Sequence, residues 1–387
     1  MRRLFAIVVL LWPLSAPAQD QPALADVVIG LVTLQDDPRY VQDWGYARLI
    51  VPAPVRSIDG AQMAIEDLAF VSEAMGLAPR ISTREVAGGD ALPAVQELIG
   101  EGALFVLLDL PGDMVEVVAA AEPDVTLINV SAPDNALRMQ CRGDLLHAHP
   151  SDRQLMDAFV QYLRFKDWTE VLILQGENPR DSAMADALIE SAERLRLSIA
   201  DRREFTLAAD PSQREGNNVA LLTGGVDYDV VFVADSRGEF GRYVPYSTQE
   251  ARPVIGSVGL TAEAWHWAME RDGATQVSSR FDQLYGRKME SVDWAAWIAV
   301  KSVLQAYTRA PEQTRAAMTD YMSSDAMALD GSKGVQINYR PWSGQLRMPI
   351  LLSTSDAVIM VAPVEGFLHE TNALDTLGID RAELSCP

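Results

Sequence analysis

Apolar and polar positions follow one another in a regular rhythm over the first 130 residues of the chain. Runs rich in aliphatic and β-branched residues occupy 27–34, 103–110 and 126–132, and a more polar strand pattern occupies 81–86. The stretch before residue 81 has apolar residues at helical spacing, a capping residue at Ser57 or Asp59, and a terminating Gly76. Strands that alternate with helices over short links predict a parallel, doubly wound sheet.

The same rhythm starts again near residue 150. Pro150, Ser151 and Asp152 open a predicted helix that runs to about Lys166, and a second helix is predicted over 178–195. Strand patterns occupy 170–176, 198–205, 229–235 and 253–260. The chain therefore predicts a second α/β lobe over about 150–260.

The last third of the chain has a different pattern. Residues 262–309 and 311–323 are predicted to be helical, and Trp294 and Trp297 lie at core positions beside alanines. From residue 334 onward, short strand patterns alternate with turns, and we expect them to cover existing sheets. The predicted division is 26–147 and 261–328 for the first lobe, and 148–260 and 329–387 for the second, with three crossings between them.

The first 18 residues have the layout of a cleaved secretory signal peptide. Arg2 and Arg3 precede an apolar run over 4–14, and Ala16-Pro17-Ala18 offers a small-residue cleavage site. An uncleaved membrane anchor is the alternative, although the run is short for a spanning helix. The formal net charge is −22, and removal of the two arginines would make it −24. Such a surface disfavours nucleic acid and anionic lipid and suits a soluble exported protein.

Two cysteines, Cys141 and Cys386, lie far apart in the sequence. In an oxidising compartment such a pair predicts one disulfide bond, and two buried free thiols are the alternative. Two thiolates are too few for a structural zinc site built on three or four cysteines.

Chemistry-bearing motifs are sparse. The sequence has no G-x-S-x-G, H-E-x-x-H, phosphate-binding loop or G-x-G-x-x-G pattern, which argues against an enzyme, and we expect no resident cofactor or metal. His147 and His149 form an H-x-H that could bind a metal ion, and the alternative is a strand that crosses between lobes. A metal chaperone is therefore one functional reading, supported only by this pair and by the acidity.

Several segments resemble type I periplasmic solute-binding proteins of the leucine/isoleucine/valine class. These are IGLVTL followed by SIDGAQMAIEDL, then LINVSAP, HAHPSDRQLMDAFVQYL and SSRFDQLYGRKMESVDWAAWIAVKSVLQA, in the family's order. The resemblance covers nearly the whole chain after the signal peptide. It implies an α/β fold of two lobes, each with a mainly parallel sheet flanked by helices, and three interlobe crossings. It also implies a periplasmic protein that hands a small molecule to an ABC permease in the inner membrane.

Two further segments are similar to one branch of that class, which is associated with alcohol dehydrogenases that depend on pyrroloquinoline quinone (PQQ). They are AWHWAMERDGATQVSSRF and WSGQLRMPILLSTSDAVIMVAPVEGFLHETNALDTLGID. The branch implies PQQ, or a similarly flat polycarboxylate, as the transported ligand, and a PQQ-dependent dehydrogenase system as a partner. The turn after the third strand, residues 109–113, lacks the family's Ser or Thr, and residues 177–181 lack its aromatic residue.

Ligands of doubly wound sheets bind beyond the carboxyl ends of the strands, and in two lobes these ends face one cleft. Loops at these ends supply the candidate ligand-binding residues Tyr40, Trp44, Asp109, Ser131, Asn135, Asn178, Arg180, Asp235, Ser236, Arg237 and Trp265. Each also has a plain structural reading: Arg180 could pair with Asp181 or Glu177, and Trp265 and Trp267 cannot share one helix face, so at least one of them should be packing.

The sequence therefore predicts a periplasmic substrate-binding component of an ABC transporter, without catalytic activity, that binds PQQ or a related polycarboxylate. A protein that binds a branched-chain amino acid or amide is the first alternative. A ligand-sensing partner of a membrane receptor is the second.

Overall fold

The computed structural model describes residues 24–40, 56–207 and 215–385. The predicted signal peptide over 1–18, the candidate residue Trp44 and the predicted disulfide partner Cys386 lie outside these residues. The disulfide between Cys141 and Cys386 thus stays a prediction. None of the helices in these ranges is long and apolar enough to span a membrane.

The first lobe is built on a five-stranded parallel sheet, as the strand–helix rhythm predicts. Its strands are β1 (Ala25–Leu34), β2 (Leu77–Val86), β3 (Phe105–Asp109), β4 (Thr126–Asn129) and β5 (Leu145–His147). They lie in the order β2-β1-β3-β4-β5, and every pair is parallel. The order reverses between β1 and β3, which makes their carboxyl ends the topological switch point of this sheet.

Helices cover both faces of this sheet. They are α1 (Ile58–Ala74), α2 (Leu92–Gly100), α3 (Gly112–Ala120) and the single turn α4 (Asn135–Arg138). One face of the sheet buries Val28, Val32, Val106 and Leu108 against apolar residues of α2 and α3. Such burial of apolar area is the main stabilising contribution to the lobe.

The second lobe repeats the arrangement with four parallel strands. They are β6 (Glu170–Gln175), β7 (Ser198–Glu204), β8 (Val230–Ala234) and β9 (Val254–Gly256), in the order β7-β6-β8-β9. Its helices are α5 (Asp152–Phe165), α6 (Pro179–Leu195) and the short α7 (Val219–Leu222). Its switch point lies at the carboxyl ends of β6 and β8.

The predicted start of α5 is confirmed at the level of its cap. The Ser151 hydroxyl accepts a hydrogen bond from the Gln154 amide at 3.1 Å, and Gln154 Oε1 accepts one from the Ser151 amide at 3.1 Å. This reciprocal pair satisfies two amides that the first helical turn would leave without partners.

The prediction for residues 253–309 was partly wrong. The strand pattern over 253–260 breaks after β9 because Gly256 and Gly259 have φ angles of +112° and +79°. A separate strand follows, β10 (Thr261–Glu263), and helix begins only with α8 (Ala274–Tyr285) and continues in α9 (Ser291–Arg309) and α10 (Arg315–Met322). Helix α9 packs along α1 and against β3. The lobe boundaries at 148, 261 and 329 stay predictions.

The strands near the C-terminus do not simply extend the two parallel sheets. Strands β13 (Ile350–Ser353) and β14 (Val358–Ala362) form an antiparallel sheet with β10 that packs against α5, and β11 (Leu329–Asp330) pairs with β12 (Gln336–Ile337). The segment between β12 and β13 returns to the first sheet, where Gln345 forms a parallel bridge with His147. Residues 372–385 then lie along α5, where the Gly378 amide donates to Asp157 at 2.7 Å.

Candidate functional site

A cluster of polar side chains lies at the switch point of the first sheet. Arg39, in the turn that follows β1, forms an ion pair with Asp37 at 2.6 Å and a second one with Asp109, the last residue of β3, at 3.3 Å. Its Nη1 donates a hydrogen bond of 2.8 Å to the Ser131 hydroxyl beyond β4. One guanidinium thus joins the carboxyl ends of three neighbouring strands.

The candidate residues Tyr40 and Asp109 are in contact with each other. Asp109 is buried, and its carboxylate accepts hydrogen bonds from the Tyr40 hydroxyl at 2.6 Å and the Ser57 hydroxyl at 2.8 Å. Burial, together with the Asp109 charge, raises the pKa of Tyr40 well above its usual value. Asp109 therefore anchors the 37–40 turn and the start of α1, and its oxygens are occupied by protein donors.

Ser131 lies in a loop that is shaped by the strand before it. Asn129, the last residue of β4, accepts hydrogen bonds through Oδ1 from the amides of Ser131 at 3.2 Å and Ala132 at 2.8 Å. The same loop continues to Asn135, whose Oδ1 accepts a hydrogen bond from the Arg153 amide of α5 at 2.9 Å. Asn135 thus ties the site loop of the first lobe to the first helix of the second lobe.

The switch point of the second sheet holds the candidates Asn178 and Ser236. Asn178 caps α6 by accepting the Asp181 amide at 3.0 Å, and its Nδ2 donates to the Ser236 hydroxyl at 3.2 Å. The Ser236 amide donates to the buried Asp181 carboxylate at 2.7 Å. The side chains of Asn178 and Ser236 both stay at least partly accessible beyond β6 and β8.

Asp235 and Arg237 differ in what they can offer a ligand. The Asp235 carboxylate is buried and accepts the amides of Gly241 at 2.7 Å and Gly238 at 3.0 Å, so it holds its own loop together. Burial raises its pKa, against the hydrogen bond from the Gly241 amide. Arg237 is exposed at the same strand end.

The structure gives Arg180 a partner that the sequence did not suggest. Its guanidinium forms a two-pronged ion pair with Asp152, the first residue of α5, with Nη2 2.6 Å from Oδ1. Asp181 and Glu177, the partners expected from proximity in sequence, form no ion pair with it. Although burial acts to lower the pKa of Arg180, the hydrogen bond to Asp152 raises it above its usual value.

The H-x-H pair lies on the first crossing between the lobes. His147 ends β5, with Nδ1 3.2 Å from Asn129 Nδ2, while the His149 Nδ1 donates to the Pro150 carbonyl at 2.9 Å. Burial and the nearby Arg138 charge lower the pKa of His149 to about 3 and that of His147 well below its usual value. Within the described ranges, no group of three or more His, Cys, Asp or Glu side chains is placed to hold a metal ion.

Two sequence predictions about tryptophans have clear outcomes. Trp294 and Trp297 are buried, as predicted for core positions of α9. Trp265 is fully buried as well and stacks on Trp294 with a centroid separation of 6.4 Å and an interplanar angle of 11°. It is packing in this structure, and Trp267 is the more exposed of the two.

The N-terminal end of α3 is already faced by an anion of the protein. A Cβ atom on Gly112, the first residue of α3, would lie 2.4–2.7 Å from the carboxyl group of Asp134. The carboxyl group of Asp134 therefore lies beside the amino end of α3. Only a glycine permits this approach, and the carboxylate is favourable beside the positive end of the helix dipole.

Two residues of the site, Arg39 and Asp152, were not among the candidates selected from the sequence. Both could have been found by the rule that already selected Tyr40 and Asn178, because Arg39 follows β1 and Asp152 follows the first crossing.

Comparisons with known proteins find structural likeness only. No family model and no curated protein matches the sequence. Among solved structures, the leucine-, isoleucine-, valine-, threonine- and alanine-binding protein of Brucella ovis has a TM-score of 0.69 at 13% identity, with 93% of this chain and 98% of that chain covered. A periplasmic binding protein of Burkholderia mallei has a TM-score of 0.65 at 13% identity, covering 93% and 98%.

A third structure is the branched-chain amino acid transporter substrate-binding protein of Streptococcus pneumoniae in complex with isoleucine. It has a TM-score of 0.64 at 14% identity, with 87% of this chain and 98% of that chain covered. These likenesses, at such low identity, establish the fold: α/β, with parallel sheets flanked by helices, as in type I periplasmic binding proteins.

Proposed function

We propose that this protein is a substrate-binding component of an ABC transporter that captures a small carboxylate-bearing molecule between its two sheets. One observation carries the proposal. Each parallel sheet ends at its switch point in partly accessible polar side chains, Arg39 and Tyr40 in the first lobe and Asn178 and Arg180 in the second. Both sets lie next to the crossing at residues 148–152, so a ligand held there would touch both lobes.

The structural neighbours support a transport role. Those of Streptococcus pneumoniae and Brucella ovis are named for amino acid binding, and the first is a transporter component. On this basis we place the protein in the periplasm, with an ABC permease as its partner and no catalytic step of its own.

For the ligand, an amino acid is better supported than PQQ. None of the neighbours described above is named for a quinone, and the resemblance to the PQQ-associated branch rests on sequence segments alone. Ser131 lies just beyond β4, and Arg39 beside it adds a cation that can hold a carboxylate. We therefore rank a small amino acid or related carboxylate above PQQ as the ligand. A PQQ-dependent dehydrogenase system as a partner has no support from these neighbours.

Thermal unfolding with and without ligand tests the proposal. A ligand that binds only the folded protein stabilises it by about 2.7 kcal/mol at one hundred times its Kd. We expect a carboxylate-bearing amino acid such as L-leucine, L-valine or L-glutamate to raise the Tm at millimolar concentration, and PQQ to leave it unchanged. A Tm raised by PQQ alone would restore the quinone reading, and the absence of any shift would contradict the proposal.

A further inference from the structure

Two arginines, one from each lobe, lie on either side of the first crossing. Arg39 donates to Ser131 in the first lobe at 2.8 Å, and Arg180 is bound to Asp152 at the start of α5. The two anchors are directly linked, because the Asp152 amide donates a hydrogen bond of 2.9 Å to the carbonyl of Pro133. Ser131, which binds Arg39, is therefore connected to Asp152, which binds Arg180, through two residues of chain and one hydrogen bond.

The accessible parts of these ion pairs are the cations. The side chains of Arg39 and Arg180 are 29% and 37% exposed, while those of Asp109 and Asp152 are 0% and 4% exposed. The fork of Arg180 faces the buried Asp152 carboxylate, and Arg39 directs Nε and Nη2 to Asp37 and Asp109. The more accessible partner of each ion pair is therefore the arginine side chain, one from each lobe.

Donor groups remain for a ligand. Arg180 uses Nη1 and Nη2 for Asp152, and its Nε has no hydrogen-bond acceptor among the described residues. Arg39 donates hydrogen bonds through Nε and Nη2 to Asp37 and Asp109. Its Nη1 donates one of its two hydrogens to Ser131. A carboxylate can thus bind to either guanidinium without breaking the existing ion pair.

We propose that this arginine pair makes the site selective for ligands with two carboxylates, one for each guanidinium. A short acidic amino acid or an aliphatic dicarboxylate has this chemistry, whereas a branched-chain amino acid has only one carboxylate. A ligand carboxylate can accept hydrogen bonds from the donors that these ion pairs leave unused, and two such charge-assisted contacts, one in each lobe, would favour a dianion over a monoanion. The inference rests on the proposed function and narrows its substrate class.

Electrostatics at the crossing agree with this arrangement. Burial, followed by the positive charges of Arg138, Arg180 and Arg39, lowers the pKa of His149 to about 3, so both guanidiniums act on the same point. The net charge of −22 repels a dianion at long range, but the Debye length at 0.15 M salt is about 8 Å. Repulsion from charges farther away than this is therefore largely screened.

Isothermal titration with L-glutamate, succinate and L-leucine tests the inference. We expect at least one of the two diacids to bind ten-fold or more tightly than L-leucine. Arg180→Gln should weaken that diacid at least ten-fold and change L-leucine less than three-fold, since only the second carboxylate loses its partner. Arg252→Gln, which removes an exposed arginine before the amino end of β9, is the matched control and should change neither.

The outcomes separate the inference from the proposed function. L-leucine binding as tightly as both diacids, or a diacid unaffected by Arg180→Gln, would overturn the diacid selectivity and leave the transport role standing. No binding of any of the three probes would count against both. Arg180→Lys keeps the charge but loses the two-pronged geometry. If the Arg180→Gln variant is folded and binds the diacid weakly, the affinity of Arg180→Lys for that diacid should lie between those of Arg180→Gln and the unmodified protein.

Discussion

At the scale of single residues, hydrogen bonds decide which strand-end side chains can meet a ligand. Asp109 ends β3 and Asp235 directly follows β8, yet both carboxylates accept hydrogen bonds from the protein itself. A buried carboxylate needs such donors because leaving it without them is costly. The described candidates whose side chains stay at least partly exposed are Tyr40, Asn135, Asn178, Arg180, Ser236 and Arg237.

His149 gives a pH-dependent prediction at this scale. Its pKa falls from about 6.5 to about 3 on folding because it is buried next to Arg138. A base whose folded pKa is lowered binds more protons when unfolded, so its contribution to stability is present above pH 6.5 and is lost as the pH falls towards 3. We expect His149→Gln to reduce the loss of stability between pH 7 and pH 5 by about 1–2 kcal/mol.

Urea unfolding of both proteins at pH 7 and pH 5 measures this difference. The acidic groups titrate in both proteins and cancel in the comparison. An equal change of the unfolding free energy in the two proteins would show that His149 is not the titrating group.

At the scale of elements, the contact of α1 with α9 shows why a motif glycine is required. The Cα of Gly60 lies so close to α9 that an added Cβ would be 2.0 Å from the carbonyl oxygen of Asp293. Arg287 closes the same contact by forming ion pairs with Asp59 at 2.7 Å and Asp293 at 2.8 Å. Asp59 and Gly60 of the SIDGAQMAIEDL segment thus have a role in helix packing that does not depend on the ligand.

Gly60→Ala should therefore destabilise the protein. The clash is with backbone that cannot rotate away, so the helices must separate, and overpacking of this kind costs about 1–3 kcal/mol. Gly100→Ala is the matched control, since Gly100 also lies in a helix and an added Cβ meets no atom within 4 Å. It should be neutral or slightly stabilising, because alanine favours helix over glycine. Equal unfolding free energies for both variants in urea would contradict this account.

At the scale of the whole molecule, one buried arginine joins the loop after β4 to His149 and to the C-terminal segment at Gln345. Arg138 is 1% exposed, and it donates to the carbonyl of Ala132 at 2.8 Å, to that of His149 at 2.9 Å and to Gln345 Oε1 at 2.9 Å. Gln345 Nε2 in turn donates to the carbonyls of His147 and His149, both at 3.1 Å. Burial lowers the pKa of Arg138 to about 9.

Arg138→Met should weaken the link between the lobes. Methionine fills similar space but leaves several buried acceptors without donors, and each such group costs about 1–3 kcal/mol. We expect a loss of at least about 2 kcal/mol in the unfolding free energy and a larger radius of gyration by small-angle X-ray scattering. The control Arg142→Met removes a surface ion pair with Asp144 and should cost less than about 1 kcal/mol. An unchanged radius of gyration in Arg138→Met would argue against a role of Arg138 in holding the lobes together.

Most of the secondary structure was predictable, because buried parallel strands form continuous apolar runs that stand out in the sequence. Strands β1, β3, β6 and β8 and helices α5 and α6 lie within a few residues of their predicted positions. The break at Gly256 and the strand β10 were missed, since glycine with positive φ and a three-residue strand leave little hydrophobic pattern.

The sequence by itself determined the alternation of strands and helices, the repetition of that alternation in a second lobe, and the strand ends at which polar residues gather. These follow from local patterns of apolar residues, caps and glycines, which act over a few positions. Only the tertiary structure decided that Arg180 pairs with Asp152, that Arg39 joins Asp109 to Ser131, and that Trp265 packs on Trp294. These contacts join residues that are 28–92 positions apart, and a pairing at such distance depends on how the elements pack rather than on any local pattern.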